Sequence, residues 1–347
     1  MRDKKVTDFL STRDAARSLG YSIQHTRLLA RHGKLQAHKF GRDWLVLRES
    51  VARYKATCLW PASPQHPRPA TGVVNVASVP QRSPFRYPGG KTWLVPCVRQ
   101  WLRARAKAKS ELVEPFAGGG IVGLTAVFEG FVERATLVEI DEDVASVWAT
   151  MLSDDAEELA DRIVGFQMSL QNVRAVLAGP AQSQLDRAFA TLLRNRVNRG
   201  GILAPGAGLV KSGENGKGLR SRWYPETLRR RILWINRMKD RIGFLCGDGV
   251  QVMRQNADRK DALFFVDPPY TVAGRRLYTH SDVDHGELFA LARRLRGDFL
   301  ITYDDSAEIR GLAYRNRMAV REILMKSTHH AKKVELLIGR DLDWHAM

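Results

Sequence analysis

The stretch "ELVEPFAGGGIVGLTAVFEGF", residues 111–131, decides the fold. A short apolar run ends in an acid and a proline, passes through three consecutive glycines, and opens a helix-length apolar segment. The glycines permit a tight turn and let the backbone approach a ligand closely. Strand, glycine loop and helix in that order open a parallel α/β sheet. The pattern repeats outward from there. "RATLVEI" (134–140) leads into "DEDVASVWATML", "DALFFV" (261–266) ends in "DPPY", and "GDFLITYDD" (297–305) runs into a polar turn and a helix. Two β-rich runs, "REILMKS" and "VELLIGR", close the chain as an expected hairpin. Between Met151 and Asp240 the sheet pattern lapses into amphipathic helix and a glycine-rich basic stretch.

At 347 residues the chain is longer than most single cores, so a large α/β unit and a smaller one are expected. No run reaches the roughly 18 apolar residues that span a bilayer, and no apolar stretch follows the first charges, so neither a membrane span nor a signal peptide is expected. A cytoplasmic protein follows. Cys58, Cys97 and Cys246 lie far apart without metal-ligand spacing, which fits a reducing compartment and no metal site.

The net charge of +18 points to a polyanionic partner, and two segments carry most of the excess. Residues 1–56 hold 13 Lys and Arg against 5 acids; residues 187–241 hold 14 against 3. In the first, Ser11 or Thr12 can cap a helix to Leu19, Gly20 breaks it, and Ser22 can cap a second helix to about His32. "KLQAHKF" and "DWLVL" flank Gly41-Arg42 as a hairpin, and a short helix closes the unit. Residues 1–57 thus resemble the winged helix-turn-helix of the excisionase and MerR-like group. That resemblance implies Ser22, Gln24, His25 and Arg27 facing a DNA major groove, with Arg31, Lys34 and Arg42 on phosphates. Residues 58–84 hold six prolines and are expected to form a linker.

Acids recur where strands end. Glu114 precedes the glycine loop, and Glu139 lies 25 residues later, where an open sheet offers a carboxylate to ribose hydroxyls. Asp248 in "CGDGV" sits before a helix and can accept from an adenine amino group. Asp267 ends the apolar run ahead of Pro268, Pro269 and Tyr270. An adenine amino group is a poor nucleophile because its lone pair is delocalised into the ring. The Asp267 carboxylate and the Pro268 carbonyl can accept its two hydrogens, expose the lone pair and oppose the positive charge that grows on nitrogen. The prolines stiffen the turn, and Tyr270 can stack on a base swung out of a duplex. Two other readings carry little: Pro96-Cys97, a candidate for cytosine carbon-5 chemistry, falls in an amphipathic helix, and the histidines lack partners at ligand spacing.

"YPGGK" (87–91), "EPFAGGG" (114–120), the basic region and "DPPY" (267–270) occur in the order of the Dam-type DNA adenine methyltransferases, which residues 83–340 resemble. The resemblance implies a Rossmann-like class I methyltransferase sheet, formed by residues 85–150 and 242–347, with a mainly helical target-recognition insert at 151–241. It implies S-adenosylmethionine held by Tyr87, Pro88, Gly89 and Lys91, by Glu114, Pro115, Phe116, Ala117 and Gly118, by Glu139 and Ile140, by Asp248 and Gly249, and by Asp267. Glu114 and Glu139 depart from the aspartates usual in that family. The implied activity is methylation of adenine N6 in double-stranded DNA. Cytosine N4 methylation, or a DNA-binding regulator with an inactive catalytic unit, are the alternatives. Base and phosphate contacts are expected from Arg194, Asn195, Arg196, Asn198, Arg199, Lys211, Lys217, Arg220 and Arg222. A nucleoid-associated location follows, with a homodimer and a cognate restriction enzyme left open as further partners.

Overall fold

The computed structural model describes residues 8–19, 23–41, 43–59, 79–86, 89–107, 110–213, 216–270, 283–326 and 332–345. The expectations at Ser22, Arg42, Tyr87 and Pro88, and those for the side chains of Gln24 and His25, lie outside them. Met1–Ala70 and Thr71–Met347 form two compact units.

In the smaller unit, β1 (Phe9–Ser11) leads into α1 (Thr12–Leu19) and α2 (Ile23–Arg31), then β2 (Ala37–Phe40), β3 (Asp43–Leu47) and α3 (Arg48–Leu59). Ser11 is the cap: its Oγ accepts the Asp14 N–H at 3.1 Å. The buried Thr12 hydroxyl donates to Asp43 Oδ1 at 2.7 Å, pinning the first helix to the hairpin. β3 is central in a three-stranded antiparallel sheet, order β1-β3-β2. Strand β1 was not expected, because three residues are too few for an alternating pattern to register. Ala15, Leu19, Leu29, Leu35, Val46 and Val51 form the core.

Both ends of the expected 58–84 linker belong to folded parts instead. Helix α3 continues to Leu59, and Val79 and Phe85 are buried in the core of the larger unit.

That unit begins with α4 (Val95–Arg105), β4 (Glu111–Glu114), α5 (Ile121–Phe128), β5 (Arg134–Glu139) and α6 (Glu142–Met151). Four helices follow: α7 (Ala156–Gly165), α8 (Leu170–Ala178), α9 (Gln184–Val197) and α10 (Pro225–Asn236). The sheet resumes with β6 (Ile242–Cys246), α11 (Gly249–Gln255), β7 (Ala262–Val266), α12 (His285–Arg294), β8 (Asp298–Asp304), α13 (Ala307–Arg315), β9 (Ala319–Lys326) and β10 (Lys332–Gly339). The seven strands lie in the order β6-β5-β4-β7-β8-β10-β9, with β4 to β8 mutually parallel and β10 antiparallel to both neighbours. The sheet is therefore mixed, its parallel part closed by the expected hairpin. Edge strand β6, "IGFLC", was not anticipated, since its glycine and its half-exposed pattern blur any strand signal.

Alternation along each strand supplies both faces with apolar cover. Leu112, Leu137, Phe265 and Leu300 point into one cluster; Val113, Val138, Phe264 and Ile301 point into the other. The insert is no separate body. Leu159, Ile163, Phe189, Leu192 and Ile232 share a core with Trp148 and Leu137, so residues 151–241 are fused to the sheet layer that they were expected to interrupt.

After β4 the chain moves outward to β5 and β6, then returns to place β7 on the other side of β4. A crevice at the carboxyl ends of strands is expected at such a switch point.

Candidate active site

A cavity of about 760 Å³ lies there, within the size range of small-molecule sites. Four acids reach it from four neighbouring strands: Glu114 from β4, Glu139 from β5, Asp248 beyond β6 and Asp267 beyond β7. Ala117 to Gly120 form its floor, with positive φ at Gly118 and Gly120. A Cβ on Gly120 would sit 2.6 Å from the Trp148 ring, so this position accepts no side chain.

Glu139 is wrapped by its own backbone. Oε2 accepts Gly118 N–H at 2.9 Å, while Oε1 accepts Ile140 N–H at 2.9 Å and Asp141 N–H at 3.1 Å. Burial nevertheless pushes its carboxyl up to about 7, because those donors only partly replace water. Glu114 differs: it is buried, and Oε2 accepts the Gly123 N–H at 2.7 Å inside the first turn of α5. Burial, reinforced by the Asp267 charge, lifts it to about 8, so near neutrality it is a protonated fastener rather than a second anion. The aspartate usual at this position in the resembled family is one methylene shorter. Asp248 caps α11, with Oδ1 accepting Val250 N–H at 2.8 Å, and the exposed Ile140 offers an apolar edge beside it.

Asp267 is held from two directions at a single oxygen. Lys91 Nζ lies 2.9 Å from Oδ1, and Thr302 Oγ1 donates to the same atom at 2.8 Å. Neither contact uses Oδ2. Lys91, 3% exposed, also donates to Tyr270 Oη at 2.8 Å and to the Gly89 carbonyl at 3.1 Å, and lies 3.6 Å from Glu335 Oε2. Tyr270 Oη donates in turn to Glu335 Oε2 at 3.1 Å. One ammonium thus sits between two carboxylates, leaving net negative charge at the cavity wall. Lys91, expected on the cofactor, lines the cavity, and its Nζ is turned to the aspartate.

Tyr270 departs from its expected role too. Its ring stacks on Tyr303 at 5.8 Å and lies under the Lys91 ammonium at 5.1 Å, and it does not line the cavity. The face expected to take a base is occupied. Beyond it, Tyr303 Oη meets His285 Nδ1 at 2.7 Å, and burial raises the phenol above its ordinary range and lowers the imidazole.

Several residues expected on DNA are structural. Asn195 is fully buried: Oδ1 accepts Arg86 N–H at 2.8 Å and Nδ2 donates to the carbonyls of Arg86 and Gly201. Arg196, 4% exposed, donates to the Pro84 carbonyl, and buried Asn198 donates to that of Ile202. Backbone groups sequestered between the insert and residues 84–86 need partners, and these side chains satisfy them. Arg194 pairs with Asp143 and Arg220 donates to the Met168 carbonyl. Arg199, Lys211 and Lys217 stay exposed, and Arg222 is half-buried. In the small unit Arg27 pairs with Asp43 at 3.1 Å, while Arg31 and Lys34 are exposed.

Thr302 and Glu335 escaped sequence reasoning. Val266 pairs with Ile301 in register, which sets Asp267 against Thr302, and an acid inside the apolar run "VELLIGR" was the available signal for Glu335. Cys97 lies half-buried in α4, and desolvation pushes its thiol up to about 12, too basic to supply a thiolate near neutrality, so the reading through Pro96-Cys97 falls.

The cavity fits S-adenosylmethionine. The backbone-lined floor admits close approach, Glu139 keeps carboxylate lone pairs beyond its three amide donors, and a Cβ on Gly249 would strike the Pro115 carbonyl at 1.9 Å, so the loops beyond β4 and β6 meet without side chains between them. The chain matches no curated protein. Among solved structures it is similar to the rRNA methyltransferase AviRa from Streptomyces viridochromogenes (12% identity, 79% of this chain and 88% of that one, TM-score 0.31). It is also similar to an O-methyltransferase family protein from Burkholderia thailandensis (11% identity, 95% and 88%, TM-score 0.31). Residues 87–176, which carry the glycine loop, Glu114 and Glu139, match the model of the D12 class N6 adenine-specific DNA methyltransferases, a family whose cofactor is S-adenosylmethionine.

Proposed function

We propose that this chain methylates the N6 amino group of adenine in double-stranded DNA, and that the small unit is a winged helix-turn-helix that adds DNA contacts. The observation that carries the reading is Asp267: a carboxylate at the end of a buried strand, fastened through Oδ1 by Lys91 and Thr302, at the wall of the cavity that Glu139 and the glycine loop also line.

S-adenosylmethionine bound there supplies an electrophilic methyl group on a sulfonium. Glu139 would accept from the ribose hydroxyls, Asp248 from the adenine amino group of the cofactor, and Gly118 to Gly120 would receive the remainder against bare backbone. Asp267 Oδ2 would accept one hydrogen of the target amino group and the carbonyl of Pro268, whose ring is buried beside the cavity, the other. Both acceptors would localise the nitrogen lone pair, and the excess negative charge of Asp267, Lys91 and Glu335 would stabilise the positive charge that builds on nitrogen as it takes the methyl group from sulfur. Asp267 Oδ2, placed on one amino hydrogen, would take the proton that the methylated nitrogen releases and pass it to solvent. No covalent bond to the protein is required. The target base must leave the duplex to reach this wall, and the exposed Arg199, Lys211 and Lys217 of the insert would meet the DNA around it.

Incubation of DNA with labelled cofactor, followed by nucleoside analysis, tests the reading. Methyladenine is expected, with turnover at least about 100-fold lower in Asp267→Ala. Methylcytosine without methyladenine would shift the reading to cytosine N4, and an inert chain that still binds DNA would leave only the regulator.

A further inference from the structure

Five basic side chains line the cavity: Arg86, Lys91, Arg196, Arg231 and Arg254. Lys91 is committed to Asp267 and Glu335, and Arg254 pairs with Glu287. The other three gather on one side. Arg231 Nη1 donates to the Ser83 carbonyl at 2.8 Å, Arg196 Nη2 to the neighbouring Pro84 carbonyl, and Asn195 grips the Arg86 backbone through both N–H and C=O. Residues 83–86 in turn rest on the glycine loop, where a Cβ on Gly119 would meet Ser83 Oγ at 2.9 Å and Phe85 Cβ at 3.7 Å. Arg196 is 4% exposed, and its Nε is buried without a hydrogen-bond partner. Such a donor is costly unless something completes it.

We infer that Arg86, Arg196 and Arg231 form an oxyanion subsite that takes the α-carboxylate of the cofactor's methionine tail, an inference that rests on the cofactor reading above. With the adenosine over β5 and β6 and the reacting end at β7, the tail lies over the glycine loop of β4, which residues 83–86 cover. The opposite walls carry Glu139, Asp141, Asp248 and Asp267, which repel a carboxylate. The guanidinium groups repel one another: burial first, then the charges of Arg231, Arg86 and Arg222, bring the Arg196 guanidinium down to about 9. An anion seated among these groups relieves that repulsion and accepts from the guanidinium N–H groups that line the cavity.

Titration calorimetry of the full chain with S-adenosylmethionine and with its decarboxylated analogue tests the subsite. The two ligands differ by the carboxylate alone. An acidic cavity by itself would favour the analogue, which carries one more net positive charge, so the comparison is weighted against the proposal. The expected result is binding of S-adenosylmethionine roughly tenfold or more tighter than the analogue, the scale of one charged hydrogen bond. Arg231→Gln is expected to narrow that gap by weakening S-adenosylmethionine alone, with Arg231→Lys retaining part of it. Equal binding of both ligands by the wild-type chain overturns the subsite, and needs no variant to fold. So does a variant that weakens both alike, or one that keeps the gap but loses DNA affinity with a salt slope smaller by about one, which would place a phosphate there instead. Binding of neither ligand removes the cofactor reading itself, and the subsite with it.

Discussion

Glu139 is an acid whose usefulness depends on pH. Its carboxyl is ordinarily ionised above about 4.5, yet burial pushes it up to about 7, so near neutrality a sizeable fraction carries a proton. Ribose hydroxyls donate best to the ionised form. Affinity for S-adenosylhomocysteine is therefore expected to rise as pH goes from 6 to 8, with release of a proton near pH 7 that calorimetry in buffers of different ionisation enthalpy detects. Glu139→Gln should bind weakly with a flat profile; an unchanged slope in that variant would assign the dependence elsewhere. Glu114 gives the matching stability effect. Because its folded value is raised to about 8, the native state holds a proton that the unfolded chain releases near 4.5, and stability is lost as pH rises through 8. Glu114→Gln, which mimics the protonated acid and can still accept the Gly123 N–H, should melt higher relative to wild type at pH 9 than at pH 6.

Elements meet at this site through glycines that are needed for different reasons. Gly120 needs its left-handed φ of 59° as well as room beside Trp148. Gly249, at the first turn of α11, has no such backbone requirement but lies against the Pro115 carbonyl, where a Cβ would come within 1.9 Å. Gly249→Ala must drive the two loops apart, at a cost of about 1–3 kcal/mol. A lower Tm and weaker cofactor binding together are expected. Gly165→Ala, at the end of α7 with open space around its Cα and outside the cavity lining, should change neither. If both variants behave alike, close approach of the loops is not what Gly249 secures. Such packing bears on how much was legible in the sequence. Acid-then-turn signals at Glu114, Glu139 and Asp267 are local, so their strand-end positions could be read before any fold was known, whereas Asp248 was legible only as an acid ahead of a helix, because β6 gives no strand signal. The partners of Lys91 could not be read, because they lie 176 and 244 positions away in the chain, at Asp267 and Glu335. Asn195 and Arg196 have the chemistry of base readers, and only packing against residues 84–86 shows that the backbone consumes it.

At the scale of the whole chain, charge is divided between the two compact units. Residues 1–56 carry 13 basic side chains against 5 acids, and among the described ones Arg13, Arg17, Arg31, Lys34 and Lys39 are exposed. The cavity is lined by residues of the larger unit, from Gln81 onward. The chemistry and the extra charge are therefore separable. Removing residues 1–70 is expected to leave turnover at saturating DNA within about twofold of the full chain, because Lys91, Asp267, Thr302 and Glu335 all remain. DNA affinity should fall, and so should its salt dependence: every phosphate that is no longer neutralised reduces the slope of log K against log salt by about 0.9, and a unit of this charge should account for several. Binding isotherms at two salt concentrations read both quantities. A truncated chain with unchanged slope would show that the small unit does not touch phosphates. If turnover collapsed while its Tm held, the separation of chemistry from charge would itself be wrong.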